Sequence, residues 1–245
     1  MNRFLLISLS LLAALSFTTT NVRAEEFTDA QKAEIKKLFD EYLAASGEQV
    51  LNSVNKYQAD LEEKQRAESE VKAKEFLSTL DTSKLPMAGN PEGDVTMIEF
   101  FDFNCGYCRK ALEEIQTVLK DDKKVKIVFM DMPILGPSSL EASKWALAAH
   151  KQGKYFEYHQ AVLTHNGQKD DASLEKIAKD VGLDIEKLKE DKESQEISDT
   201  INGHIAQAQN LGIRGTPGFI INGQVFPGYI PAAQIEQTIA EARKK

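Results

Sequence analysis

Only two cysteines, four histidines and one tryptophan occur among the 245 residues. Structural zinc is tetrahedral, so two thiolates cannot complete such a site. His150, His159, His165 and His204 are scattered without ligand spacing, and no metal is expected. Positive charge is short as well: the formal net charge is -8, and it becomes about two units more negative without Arg3 and Arg23. That balance disfavours nucleic acid and anionic membrane surfaces as partners. The apolar run Phe4 to Phe17 falls below the about 20 residues that a membrane span needs. No internal repeat or low-complexity tract is present.

The first 24 residues read as a leader rather than part of the fold. Arg3 supplies a basic start, Phe4 to Phe17 an apolar stretch, and Val22-Arg23-Ala24 a small-residue cleavage site before Glu25. A retained anchor is the alternative. Cleavage of residues 1–24 implies export to an oxidising compartment, a bacterial periplasm, with outer-membrane or surface association left open.

The two cysteines are three residues apart, in Glu99-Phe100-Phe101-Asp102-Phe103-Asn104-Cys105-Gly106-Tyr107-Cys108-Arg109. Val95 to Phe103 is β-branched and aromatic, which predicts a strand. Arg109 to Leu119 places Ala111, Leu112, Ile115, Val118 and Leu119 at helical spacing. The pair therefore sits where a strand ends and a helix begins. There the unsatisfied amides and the positive end of the helix dipole stabilise a thiolate on Cys105. That thiolate is the nucleophile of disulfide exchange, and Cys108 can close onto it to release a mixed disulfide. An inert local disulfide, or half of a metal site shared between subunits, is the competing reading of the same residues.

Residues 25–80 read as an N-terminal helical arm. Ile35, Leu38, Phe39, Tyr42 and Leu43 form one apolar stripe over Asp29 to Ala45, capped by Thr28 or Asp29. Ser46-Gly47-Glu48-Gln49 ends this helix and offers a capping box to a second. Val50, Val54, Tyr57 and Leu61 then alternate steps of four and three, the spacing of a short coiled-coil seam. Such an arm either folds back on the main domain or meets copies of itself, and self-association is the favoured reading. The charged run Glu62 to Lys74 is expected to be a solvated spacer.

Residues 81–245 carry the remaining elements. Leu85 to Asp94 breaks any helix, and Lys124 to Asp131 predicts a second strand. A helical block over about residues 138–211 follows, with Trp145 and Phe156 expected to pack it on the sheet and Met87, Met130 and Met132 read as core. Phe219-Ile220-Ile221 and Gln224-Val225-Phe226 flank Asn222-Gly223, a hairpin signal, and Pro231 opens a closing helix. The order is that of an α/β thioredoxin-like fold with a helical insertion.

Three segments make a resemblance specific: Glu99 to Cys108, Pro133-Ile134-Leu135-Gly136-Pro137-Ser138-Ser139, and Gly212-Ile213-Arg214-Gly215-Thr216-Pro217-Gly218-Phe219. Together they resemble the periplasmic DsbA-like thiol:disulfide oxidoreductases, in the branch of ScsC-like and Com-type surface-antigen proteins. The resemblance implies that Cys105 attacks and Cys108 resolves. It implies that Pro217 is cis beside them, and that the Thr216 backbone pairs with an extended substrate segment. The family's buried acid falls on Glu99 and its basic partner on Lys124, with Lys126 one pleat away. Strongly oxidising members carry Pro-His where this chain has Gly106-Tyr107, which lacks a cationic ring. This implies a less oxidising couple, between about -120 and -270 mV. Thr216 is the residue type of isomerase-like members.

The implied activity is isomerisation or oxidation of disulfides in unfolded or misfolded exported proteins with cysteines. No cofactor beyond the Cys105-Cys108 pair is implied. A membrane redox partner would reset the pair, and a homo-oligomer, trimer or dimer, would assemble through residues 25–80. The alternatives are a copper(I)-binding dithiol protein, since soft thiolates favour Cu(I), and a surface antigen without exchange activity.

Overall fold

The computed structural model describes residues 26–244. The expected leader, residues 1–24, lies outside them. By contacts the chain divides after Tyr57 into two compact units.

In the first unit, helix α1 spans Asp29–Ala45, opened by a reciprocal capping box between Thr28 and Gln31. Ser46 alone separates it from helix α2, Gly47–Thr79, so Gly47 begins the second helix instead of ending the first. No α1 residue is buried, and Ile35, Leu38, Phe39, Tyr42, Val50, Val54 and Tyr57 stay exposed.

The second unit begins at Gln58, inside α2, earlier than the boundary expected near residue 81. The reason is a stripe concealed among charges. Ala73 is fully buried, and Phe76, Leu77 and Leu80 pack with it against the sheet, a spacing of three, four and seven. The charged run therefore does not end as a free spacer. Lys72 Nζ donates to Asn210 O at 3.3 Å, and a Cβ added to Gly223 would lie 2.4 Å from Lys74 Cγ.

Strands β1 (Met87–Gly89), β2 (Val95–Phe101), β3 (Val125–Asp131), β4 (Gly218–Ile221) and β5 (Gln224–Phe226) form one sheet in the order β1-β3-β2-β4-β5. The β2–β3 pair is parallel and the other pairs are antiparallel. A parallel pair requires a crossover, which helix α3 (Gly106–Asp121) supplies. The short β1 was not expected; three residues within Leu85 to Asp94 are too few for a period to show.

Alternation along the strands builds two cores. Met97, Phe101, Ile127, Phe129 and Phe219 face α3, helix α9 (Ala232–Ala242) and most of the insertion. Ile98, Phe100, Val128, Met130 and Ile220 face helix α8 (Gln195–Asn210) and the end of α2. The insertion's other helices are α4 (Pro137–Lys151), α5 (Tyr155–Thr164), α6 (Asp171–Val181) and α7 (Ile185–Lys192), close to the expected ranges. Phe156 stacks on Phe129 of the sheet. Trp145 instead lies among the insertion helices, its indole N–H donating to Glu141 and Asp171. Met130 and Met132 are buried in the second core and Met87 is half-buried.

Candidate active site

Strand β2 delivers the chain to the end of the sheet, and Cys105 is the N-cap of α3. Its backbone N–H donates to Asp102 O at 3.0 Å, closing the turn, and its sulfur accepts the Cys108 backbone N–H at 3.4 Å. A helix start carries unsatisfied amides, so the cap position presents donors to a sulfur anion. Gly106 and Tyr107 are the next two residues; nothing lies within 4 Å of a Cβ at Gly106, and the Tyr107 ring is exposed. Cys108 is fully buried, and both cysteines are free thiols. Thr216 and Pro217, joined by a cis peptide bond, lead into β4, and the Cys105 thiol lies 3.2 Å from Thr216 O. Four residues that the sequence singled out thus meet in one place, across a separation of 111 positions.

The two thiols are chemically split. The Cys108 side chain is the largest of the donors that hold Cys105 down at a pKa of about 5. Burial opposes the shift, and the Thr216 side chain and the amides of Cys108 and Tyr107 add to it. Cys108 is driven well above the usual thiol range, first by burial, then by its bond to Cys105 and by the Glu99 charge. At neutral pH Cys105 is a thiolate and Cys108 a thiol. No cationic ring is required for this, since neutral donors stabilise the anion.

Glu99 lies on β2, 1% exposed, with both carboxylate oxygens unpartnered among the described residues. Its neighbours across the sheet are Phe129 and Phe219, whose rings offer its carboxylate no donor. Burial, then the Cys105 charge, pushes its pKa up to about 8. The expected partner Lys124 is not beside it, and this corrects the pairing inferred from resemblance. Lys124 precedes β3, its carbonyl bonded to Asp94 N and its N–H to Asp122, at the strand end opposite Phe129. Lys126 pairs in register with Thr96 and reaches Thr82, so it is no substitute. A second buried acid, Asp131, sits beside Phe101 and accepts from Tyr155 OH at 2.8 Å; burial raises its pKa to about 7. His159 is fully buried among Phe101, Phe103 and Phe129, where burial lowers its pKa to about 3 and keeps it neutral.

Sequence reasoning missed Asp102. Fully buried, it accepts at Oδ1 from Asn104 N at 2.7 Å and Ser139 Oγ at 2.7 Å, and at Oδ2 from Ile134 N at 2.8 Å and Leu135 N at 2.9 Å. Asn104 in turn donates to Ser138 and Ser139. One carboxylate therefore ties the turn before Cys105 to the loop before α4. The available signal was an acid inside an otherwise apolar strand end, three residues ahead of the cysteine.

A DSBA-like thioredoxin domain is matched over residues 96–240. A thioredoxin-like oxidoreductase from Silicibacter pomeroyi is 42% identical, with a TM-score of 0.64 over 66% of this chain and 94% of that one. The thiol-disulfide exchange protein alpha-DsbA2 from Wolbachia pipientis is 30% identical, with a TM-score of 0.67 over 71% and 95%. A linker-deletion mutant of Proteus mirabilis ScsC shares the fold, at 22% identity and a TM-score of 0.68 over 91% and 99%. The chain also matches curated sodium/proton antiporters but spans about a quarter of their length: for one from Salinispora tropica, 28% identity covers 63% of this chain and 24% of that protein. Among the described residues no helix is long and apolar enough to cross a membrane.

Proposed function

This chain belongs to the family of DSBA-like thioredoxin domains, and from that premise we propose that it is an exported protein that isomerises or introduces disulfides in secreted substrates through Cys105. The observation that carries the reading is the split pair itself, an N-cap sulfur within 3.2 Å of Thr216 O beside a buried Cys108. The Cys105 thiolate attacks one sulfur of a substrate disulfide, forming a mixed disulfide, and the other sulfur leaves as a thiolate and takes up a proton. From there two routes open. A second substrate thiolate can attack the substrate sulfur of the mixed disulfide, which rearranges the substrate and returns Cys105 with no net electron transfer. Alternatively Cys108 gives up its proton and attacks Cys105 Sγ, releasing the substrate as a dithiol and leaving the protein oxidised by two electrons. Oxidation of a reduced substrate is this second route reversed. Glu99, buried and near neutral in pKa, is suited to accept the Cys108 proton.

The oxidised or reduced pair would be reset by a membrane redox partner, and the substrates would be unfolded or misfolded exported proteins with cysteines. Exposed Ile35, Leu38, Phe39, Tyr42, Val50, Val54 and Tyr57 support assembly of copies of this chain, trimer or dimer, through the arm. Reactivation of scrambled ribonuclease and oxidation of reduced ribonuclease, both by residues 25–245, test the proposal. Activity in at least one assay is expected, abolished by Cys105→Ser. Undiminished activity in that variant, or none in the parent protein, would overturn it.

A further inference from the structure

Beyond α2, the large apolar side chains exposed among the described residues are Tyr107, Ile134, Leu135, Leu140 and Tyr229. Apolar residues scattered singly over a surface are ordinary, but these share one neighbourhood. Tyr107 lies between the cysteines, and the Tyr229 ring is centred 6.1 Å from the Tyr107 ring. Ile134 and Leu135 donate their amides to Asp102 Oδ2 at 2.8 and 2.9 Å, and Asp102 O accepts the Cys105 amide at 3.0 Å. Leu140 follows Ser139, whose hydroxyl donates to Asp102 Oδ1 at 2.7 Å, and its own amide donates to Gly136 O at 3.3 Å. The loop before α4 and the first turn of that helix are thus fastened to the turn that carries Cys105.

The two aromatic rings already have polar company. Lys110 Nζ lies 5.2 Å from the centre of the Tyr107 ring, and Tyr229 OH donates to Glu114. The aliphatic side chains of Ile134, Leu135 and Leu140 can gain only by burial, and the chain itself leaves them exposed. Cys105 is 9% exposed, so a partner's sulfur reaches it only from a chain laid against the surrounding surface. A disulfide holds its two Cα atoms about 6 Å apart, and an extended chain advances about 3.3 Å per residue. Residues close to a partner's cysteine therefore come within reach of the loop that Asp102 fixes.

We infer that Ile134, Leu135 and Leu140 form a docking ledge for an apolar side chain next to the reacting cysteine of an unfolded protein, and that Asp102 positions this ledge. The inference rests on the exchange reading above and narrows its substrates. Apolar neighbours mark cysteines that native folds bury, and their exposure marks a chain that has not folded.

The test uses reduced residues 25–245 and two cyclic peptide disulfides, identical except for Leu or Ser on both sides of one cysteine. Reduction is followed by acid quench and chromatography, and each rate is divided by that for 2-hydroxyethyl disulfide, which has no flanking residues. At subsaturating peptide the Leu peptide should react about fivefold faster than the Ser peptide. That ratio should be the same at about 20 mM and about 300 mM salt, since apolar contact is not screened. It should fall to about one in the double variant Ile134→Ser/Leu135→Ser and to about two in Leu140→Ser, and stay at about five in Val71→Ser, an exposed apolar position on α2. Cys105 labelling by iodoacetamide at the parent's pH midpoint shows that a ledge variant retains its site. Equal normalised rates for the two peptides, a ratio undiminished in both ledge variants, or an equal loss in Val71→Ser would overturn this inference alone. Failure to reduce any of the three disulfides, 2-hydroxyethyl disulfide included, would instead defeat the exchange reading and this inference with it.

Discussion

Cys105, Glu99 and Asp131 are displaced in directions that fix the sign of their pH effects. Cys105 is depressed to about 5 from an ordinary thiol value, so the reduced fold gains stability from it as pH rises and loses that gain as pH falls through about 5. Glu99 and Asp131 are raised, to about 8 and about 7, so the native state binds more protons than the unfolded chain between the ordinary carboxyl range and those values. Their contribution is complete below the unfolded pKa and disappears as pH rises through the folded one. In the oxidised protein the Cys105 contribution is gone. Its melting temperature should therefore fall from pH 5 to pH 8, and Glu99→Gln should make that slope clearly shallower. An identical slope in the variant would show that Glu99 does not titrate there. Asp102 belongs to the same scale. Asp102→Ala removes four bonds from a fully buried carboxylate and strands the Ile134 and Leu135 amides, which should cost about 3 kcal/mol in urea unfolding, against about 1 kcal/mol for Ser139→Ala. That Cys105, Cys108 and Pro217 belong to one place was legible in the sequence through its single Cys-x-x-Cys and its Thr-Pro, and the cis Thr216-Pro217 bond beside Cys105 places them there. The Glu99–Lys124 pairing was misread because it depends on the register of the parallel β2–β3 pair, which sets Phe129 beside Glu99 and which alternation alone does not fix.

Among elements, α2 departs most from its sequence reading. Charges dominate Glu62 to Lys74, while Ala73, Phe76, Leu77 and Leu80 form a narrow stripe at the far end that covers the sheet face bearing Ile98, Val128 and Ile220. A stripe that narrow is invisible beside so many lysines and glutamates until the sheet it covers is known. Truncation distinguishes the two boundaries. Residues 58–245 should unfold cooperatively with a melting temperature close to that of 25–245. Residues 82–245, stripped of that cover, should lose roughly 3 kcal/mol or more and tend to aggregate. Equal stability of the two fragments, measured by urea unfolding, would show that the helix end contributes nothing. The strands, the Asn222-Gly223 hairpin and the insertion helices were all readable from period and turn chemistry, whereas β1, three residues long, was not.

For the whole molecule, the distribution of exposed apolar side chains is the governing fact. They are concentrated on α1 and the first turns of α2, and a cleft between these helices is lined by Tyr42, Val50, Val54 and Tyr57. Light scattering should give a multiple of the chain mass for residues 25–245 and a monomer for residues 58–245; a monomer in both cases would remove the arm from assembly. If several copies face one another, scrambled ribonuclease should be reactivated by the assembled form and poorly by the monomer. Every version of this account requires that one cysteine be a thiolate in water and the other a buried thiol. The most direct measurement is the pH dependence of iodoacetamide labelling of the reduced full chain, with each cysteine followed by peptide mass. Labelling confined to Cys105, with a midpoint near pH 5 and Cys108 modified only after unfolding, is the predicted result. A Cys105 midpoint in the ordinary thiol range, or labelling of Cys108 first, would contradict it.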